Sequence, residues 1–191
     1  MWCKLILEGF SPQSMKGETH TVSLLFPMEK VFEDYVAKVL RDQLAVSHPK
    51  FIINTQVTGE YLARYDGRDK FNLRPDLVIK QAKTNLIVLD TKWKLLDSKL
   101  SNSNISQSDI YQLFAYAKKY LGDENSGKDV VLIYPSQDNF DEPLISPFDL
   151  GDGHRLWIVP FEIINTDAVG VKWPFKAKES NAVPIAYSQI E

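Results

Sequence analysis

The run Leu86-Ile87-Val88-Leu89-Asp90-Thr91-Lys92-Trp93 constrains the fold more than any other stretch of the chain. Four consecutive aliphatic residues leave no polar face, so a strand built from them must be covered on both sides, as the inner strands of α/β sheets are. Asn85 to Trp93 is therefore read as a β-strand, with Leu86, Val88, Asp90 and Lys92 sharing one face. An acid and a lysine stand side by side at the end of a buried strand, where charge is costly and usually has a task.

A second strand is expected from Phe71 to Lys80, carrying Asp76 in its middle among Leu73, Leu77, Val78 and Ile79. The polar gap from Lys80 to Asn85 is short enough for a hairpin turn, which lays the two strands antiparallel and brings Asp76 close to Asp90. Two carboxylates held together repel, at about 1.4 kcal/mol for each pKa unit, and the pair favours a divalent cation or a shared proton. All-oxygen ligands suit Mg²⁺, with Mn²⁺ as a substitute, rather than zinc. Lys92 adds a cation for a phosphate oxyanion or an attacking water. A plainer account of the same residues makes Asp76 an edge residue and Asp90 with Lys92 a solvated pair at a strand end.

Composition narrows the alternatives. At 191 residues and 44% hydrophobic content the chain suits one domain with a substantial core. No apolar run approaches the roughly 20 residues of a membrane helix, and the N-terminus lacks the pattern of a signal peptide, so a soluble cytoplasmic protein is expected. The single cysteine, Cys3, excludes an internal disulfide, and His20, His48 and His154 lie too far apart in sequence for a zinc motif; each is read as a surface or capping residue. The formal charge of −3 argues against tight non-specific nucleic-acid binding by the whole surface. Locally, Arg64, Arg68, Lys70, Arg74, Lys92 and Lys94 cluster near the proposed site.

Along the chain, residues 1–27 read as an irregular extension, 28–165 as the domain and 166–191 as a tail packing on the core. A helix is expected from Pro27-Met28 to about Leu44, with Phe32, Tyr35, Val36, Val39 and Leu40 in its stripe and Glu33 on the flank, either facing a site or complementing the helix dipole. Phe51 to Thr58 reads as a strand, followed by Tyr61 to Arg68 with a turn at Asp66-Gly67 and tyrosines interleaved with arginines. A polar loop spans Asp97 to Ser108. Ser106 with Asp109 forms a capping-box pattern opening a helix to Leu121, on which Ile110, Leu113, Phe114, Ala117 and Leu121 form the core stripe and Asp109, Gln112, Tyr116 and Tyr120 a separate face. Asp129 to Pro135 and Arg155 to Phe161 are buried strands joined by the long connection Ser136 to Asp152. Gly122 to Asp129 nearly spells a phosphate-binding loop, but a helix precedes it and a strand follows, so it is a helix-to-strand turn.

Pro75-Asp76 followed fourteen positions on by Asp90-Thr91-Lys92 resembles the PD-(D/E)xK nuclease motif, and Gln112 with Tyr116 resembles the Gln-x-x-x-Tyr motif of RecB-like members of that superfamily. Together with the block Leu25 to Val36, these segments look like the nuclease half of McrC, the endonuclease subunit of modification-dependent McrBC restriction systems. The resemblance implies an α/β (α+β) restriction-endonuclease-like core: a helix, three antiparallel strands, a helix and a further strand in a mixed sheet flanked by helices. It implies Mg²⁺-dependent hydrolysis of DNA phosphodiesters. Asp76, Asp90 and the Thr91 carbonyl would hold metal and Lys92 would orient or deprotonate water. Glu33 would reach the metal through water, and Gln112 and Tyr116 would position the strand or the metal ligands. Arg64, Arg68, Arg74 and Lys94 are candidates for DNA contact. The implied partner is an McrB-like AAA+ GTPase, although the family's partner-engaging N-terminal part is larger than the stretch before the first helix here. A non-catalytic DNA-binding or scaffold subunit of the same fold, and a nuclease acting on RNA or DNA ends, use the same residues and stay open at this point.

Overall fold

The computed structural model describes residues 27–97, 104–124, 126–163 and 170–174. Helix α1, Met28–Ser47, is followed by strand β1, Phe51–Thr55, and by a hairpin of β2, Glu60–Tyr65, and β3, Arg68–Leu73. Strands β4, Leu77–Gln81, and β5, Thr84–Thr91, lead to helix α2, Gln107–Tyr120. Strands β6, Asp129–Pro135, β7, Phe148–Gly151, β8, His154–Glu162, and β9, Gly170–Val171, complete the fold. Seven strands form one sheet in the order β1-β4-β5-β6-β8-β7, with β9 also on β8, while β2 and β3 make a separate two-stranded ribbon. Strands β1, β4 and β5 are antiparallel, and β5, β6 and β8 are parallel. The fold is thus the mixed α/β sheet flanked by helices that the sequence implied.

Alternation along the inner strands sends side chains to two cores. Leu77, Ile79, Ile87, Leu89, Val131 and Ile133 pack under α1 against Phe32, Val36, Leu40 and Leu44. Val78, Val88, Val130, Leu132 and Ile158 pack under α2 against Leu113, Tyr116, Ala117 and Leu121. Val88 lies on the α2 side as expected. Leu86 does not share that face: a register shift at Ile79/Lys80 turns it toward the α1 core.

Three further expectations are corrected. Asp76 is not inside a strand: β3 ends at Leu73 and β4 begins at Leu77, because Pro75 has no N–H to give a ladder and restricts the residue before it. Ser106 is the N-cap of α2 but makes no side-chain cap bond; its hydroxyl meets Ser108 Oγ at 2.5 Å, and Asp109 pairs with Lys94 instead of closing a capping box. The buried face of α2 is Asp109, Leu113, Tyr116, Ala117 and Tyr120, whereas Phe114 is 43% exposed under the Lys118 ammonium, 5.2 Å from its ring centre. The two α2 tyrosines go into this core with their hydroxyls satisfied: Tyr120 donates to the Leu73 carbonyl at 2.8 Å, and Tyr116 accepts from Gln112.

The connection expected as plain loop between Ser136 and Asp152 contains β7, and β1 stops at Thr55 rather than Thr58. The turn from α2 to β6 is confirmed, and Gly127 is required there by proximity: a Cβ would lie 1.7 Å from the Leu86 carbonyl oxygen. Of the histidines, His154 is buried rather than at the surface, and His48 stacks on Phe51 at 4.9 Å. Trp173 packs on the α1 core. Cys3, His20, the extension 1–26, loop residues 98–103 and the tail apart from 170–174 lie outside the described residues. Among the described residues no helix is long and apolar enough to cross a membrane.

Candidate active site

The pairing Leu77↔Leu89 between β4 and β5 puts the next pair, Asp76 and Asp90, opposite one another at the end of the sheet. The pairing Thr55↔Leu77 between β1 and β4 likewise brings Gln56 beside Asp76. Here α1 lies on one face of the sheet and α2 on the other, and both reach the same strand ends. Between them opens a cleft of about 370 Å³ lined by Glu33, Asp76, Asp90, Thr91, Lys92 and Gln112, with Pro27, Glu29, Lys30, Trp93 and Lys94 at its border.

The polar side chains at the strand ends are held by neighbours. The Thr91 main-chain N–H and Oγ1 both donate to Asp76 Oδ2 at 2.8 Å, which fixes that carboxylate and leaves Oδ1 with a single 3.4 Å bond from Gln56 Nε2. Gln56 Nε2 also donates to Glu33 Oε1, so one amide links the helix acid to the strand acid. Lys92 Nζ donates to Asp90 Oδ2 and, at 3.4 Å, to Gln112 Oε1, while Gln112 Nε2 donates to the Tyr116 hydroxyl at 2.7 Å. Tyr116 does not line the cleft; it stands behind Gln112. The residues one turn apart on α2 thus act on Lys92 in series.

Negative charge is in excess. Asp90 is 1% exposed; burial, and after it the Asp76 carboxylate, pushes its pKa up to about 7 despite Lys92. Asp76 is also raised, by burial first, with the two Thr91 bonds pulling it back and Glu33 adding to the rise. Burial pulls Lys92 down, but the acids around it, Asp90 foremost, leave its pKa above the ordinary value. Tyr116 is raised by burial and by Asp90. Each group therefore holds its proton more tightly than in water, the acids and Tyr116 first because they are buried and Lys92 because acids surround it.

The donor set suits a hard cation. Among the described residues no three His, Cys, Asp or Glu side chains come together as a complete ligand cage. Mg²⁺ does not need one: it is commonly bound by one or two carboxylates and keeps waters or substrate phosphate oxygens for the remaining positions. Two oriented carboxylates beside a main-chain carbonyl are a set of that kind.

Of the other expected residues, Lys94 borders the cleft but pairs with the buried Asp109 at 3.0 Å. Arg64 and Arg68 lie on the β2–β3 ribbon outside the lining, Arg64 paired to Asp69 at 3.0 Å, and Arg74 is exposed between β3 and Asp76. Gln56 was missed. Its signal was the β1–β4 register, which periodicity does not supply, and it stands just past the strand end with a positive φ of 48°. Asp109, expected in a capping box, is buried and paired with Lys94. At the far end of β6 the buried Asp129 carboxylate accepts from Arg155 at 2.8 Å and from Trp157 Nε1 at 2.8 Å and holds β6 to β8.

No curated protein matches the chain. Among solved structures, four chains match. One is a chain of the Thermococcus gammatolerans assembly of McrB AAA+ hexamers with bound McrC, at a TM-score of 0.50 and 18% identity, covering 74% of this chain and 30% of that one. At that identity the likeness shows the fold. The family model described as McrBC 5-methylcytosine restriction system component matches residues 1–135, which include α1, Asp76, the Asp90-Thr91-Lys92 strand end and the whole of α2. The chain therefore belongs to the family of McrBC 5-methylcytosine restriction system components.

Proposed function

We propose that the chain is a Mg²⁺-dependent DNA endonuclease, the nuclease component of a McrBC-like restriction system, that hydrolyses phosphodiester bonds in the cleft between α1 and α2. The observation that carries this is the meeting of Asp76, Asp90 and Lys92 at one end of the sheet, with both carboxylates raised first by burial, Asp90 further by Asp76 and Asp76 further by Glu33. Asp76, Asp90 and the Thr91 carbonyl would hold the metal, with Glu33 reaching it through water; Mn²⁺ would substitute. When bound, Mg²⁺ supplies a more acidic water and stabilises charge building on the phosphate, worth several kcal/mol.

The chain's own residues do the rest. Lys92 keeps its ammonium proton at neutral pH and so serves as a donor, holding the attacking water or a phosphate oxygen in line, rather than as a base. Gln112, braced by Tyr116, fixes where that ammonium points. A P–O bond forms to water as the bond to the leaving oxygen breaks; the attacking water gives up a proton to solvent and the leaving oxygen takes one up from it, so one water is divided between the two products. Assembly with an McrB-like AAA+ partner belongs to the same proposal.

The test is incubation of supercoiled plasmid with the protein and Mg²⁺ or Mn²⁺. Nicked or linear product that EDTA abolishes is expected; no cleavage with either metal, with or without an McrB-like partner, overturns the proposal. Within it, Gln56→Ala should slow cleavage about tenfold, or roughly 1.4 kcal/mol of barrier, because Asp76 and Glu33 lose their common donor. Initial rates over a Mg²⁺ titration check this, and an unchanged rate at every concentration would remove Gln56 from the site.

A further inference from the structure

The β2–β3 ribbon is the one described pair of strands outside the main sheet, and it is solvent-exposed along nearly its whole length. Asp66 and Gly67 turn it, with φ of 49° and 70°, the left-handed pair a two-residue hairpin needs. Its base is fixed to the domain by Tyr120 of α2, whose hydroxyl reaches the Leu73 carbonyl at 2.8 Å and the Val57 carbonyl at 3.3 Å, on either side of the ribbon. Three residues separate β3 from β4, and the last of them is Asp76. A six-residue ribbon extends roughly 20 Å from that base.

Its two faces differ in charge. The register Tyr61↔Asn72, Ala63↔Lys70, Tyr65↔Arg68 places these six residues on one face. That face has two cations and no acid, and neither Arg68 nor Lys70 has a hydrogen bond or ion pair among the described residues; Tyr65 at its tip is 75% exposed. On the other face Arg64 is neutralised by Asp69 at 3.0 Å, directly opposite. In a chain of formal charge −3, an acid-free basic strip with phenol and amide donors is a local exception.

We infer that the ribbon is a DNA-gripping arm whose Tyr65, Arg68 and Lys70 face lies on the phosphate backbone of duplex DNA beside the bond to be cut. This rests on the nuclease proposal and adds where the duplex is held. A two-stranded ribbon fits a duplex groove, and roughly 20 Å of it follows about six base steps, enough for two adjacent phosphate contacts. Arg64, spent on Asp69, takes no part. The aromatic rings shield the ionic contacts and stack on sugars or exposed bases.

Binding of a fluorescein-labelled duplex to the full chain in EDTA, followed by anisotropy over a salt series, tests the arm without cleavage. The double variant Arg68→Ala/Lys70→Ala should bind at least about tenfold more weakly, with the slope of log affinity on log salt shallower by about 1.8, or about 0.9 for each lost phosphate contact. Arg64→Ala should bind as the parent does. All of these residues are exposed, so unchanged melting temperatures show that the fold is intact. The inference is overturned if the double variant binds like the parent, if Arg64→Ala is weakened as much, or if the parent does not bind the duplex. Metal-dependent cleavage with undisturbed binding in the double variant would sink the arm and leave the nuclease; ribbon-dependent binding without cleavage under any metal would do the reverse.

Discussion

Asp90→Asn is expected to slow plasmid cleavage about a thousandfold or more, about 4 kcal/mol of barrier, while making the folded protein more stable at pH 8. The loss follows from the place of Asp90: an almost fully buried carboxylate opposite Asp76 and held by Lys92, it is one of the two strand-end carboxylates proposed to hold the metal. The gain follows from charge. Its pKa rises from an ordinary 3.8 to about 7 on folding. A group of this sign keeps its proton longer in the folded chain, so its favourable contribution is complete below about pH 4, falls as pH rises through the window to about 7, and is gone above it. Asparagine removes that loss. The variant should melt a few degrees higher at pH 8, a gain on the order of 1–2 kcal/mol, and no higher at pH 4. Addition of Mg²⁺ or Mn²⁺ should raise the melting temperature of the parent, more at pH 8 than at pH 5.5 because the ligands must be deprotonated, and should leave the variant unmoved. Parent-like cleavage by Asp90→Asn refutes the site. A metal-induced shift of equal size in the variant moves the cation elsewhere.

What was legible in the sequence was set by local burial. The run Leu86 to Leu89 allowed only an inner strand, and the short polar link to Ile79 allowed only a hairpin, so the meeting of Asp76 and Asp90 followed from chain order. Features needing contacts distant in sequence were not legible. Gln56 enters the cleft only because β1 pairs with β4 in one register, and β7 and β9 are short strands made by pairing with β8 rather than by their own pattern. On α2, hydrophobicity misassigned Phe114 and the tyrosines. A wheel counts Phe as core and Tyr as surface, whereas here Tyr120 reaches carbonyls that need a donor and Lys118 covers Phe114. Asp109 matched a capping box by spacing, yet the nearby Lys94 gave it a charged partner.

Lys92→Met is expected to cut the cleavage rate roughly a hundredfold to a thousandfold, and to change stability in the opposite sense to Asp90→Asn. Methionine preserves much of the stem, which is largely covered in the cleft wall, so the difference isolates the ammonium. Without it Asp90 faces Asp76 with no opposing charge, and its pKa climbs further. Whatever cleavage is left should reach half its maximum at a higher pH than in the parent. Melting at pH 8 should drop by about 2–3 kcal/mol in stability, since breaking a buried pair strands its partner, and by less at pH 5, where Asp90 already holds a proton. Lys92→Arg should restore the pH midpoint toward that of the parent, because charge returns, but not the rate, because a planar guanidinium cannot reproduce the single-point contact with Asp90 Oδ2 and Gln112 Oε1. Combining Asp90→Asn with Lys92→Met should recover part of the lost stability, a non-additivity of the kind that contacting residues show and separate ones do not. Strict additivity in that cycle, or a parent-like rate in Lys92→Met, would mean that the ammonium and the carboxylate do not act as one unit, and the proposed chemistry at the end of β5 would have to be abandoned.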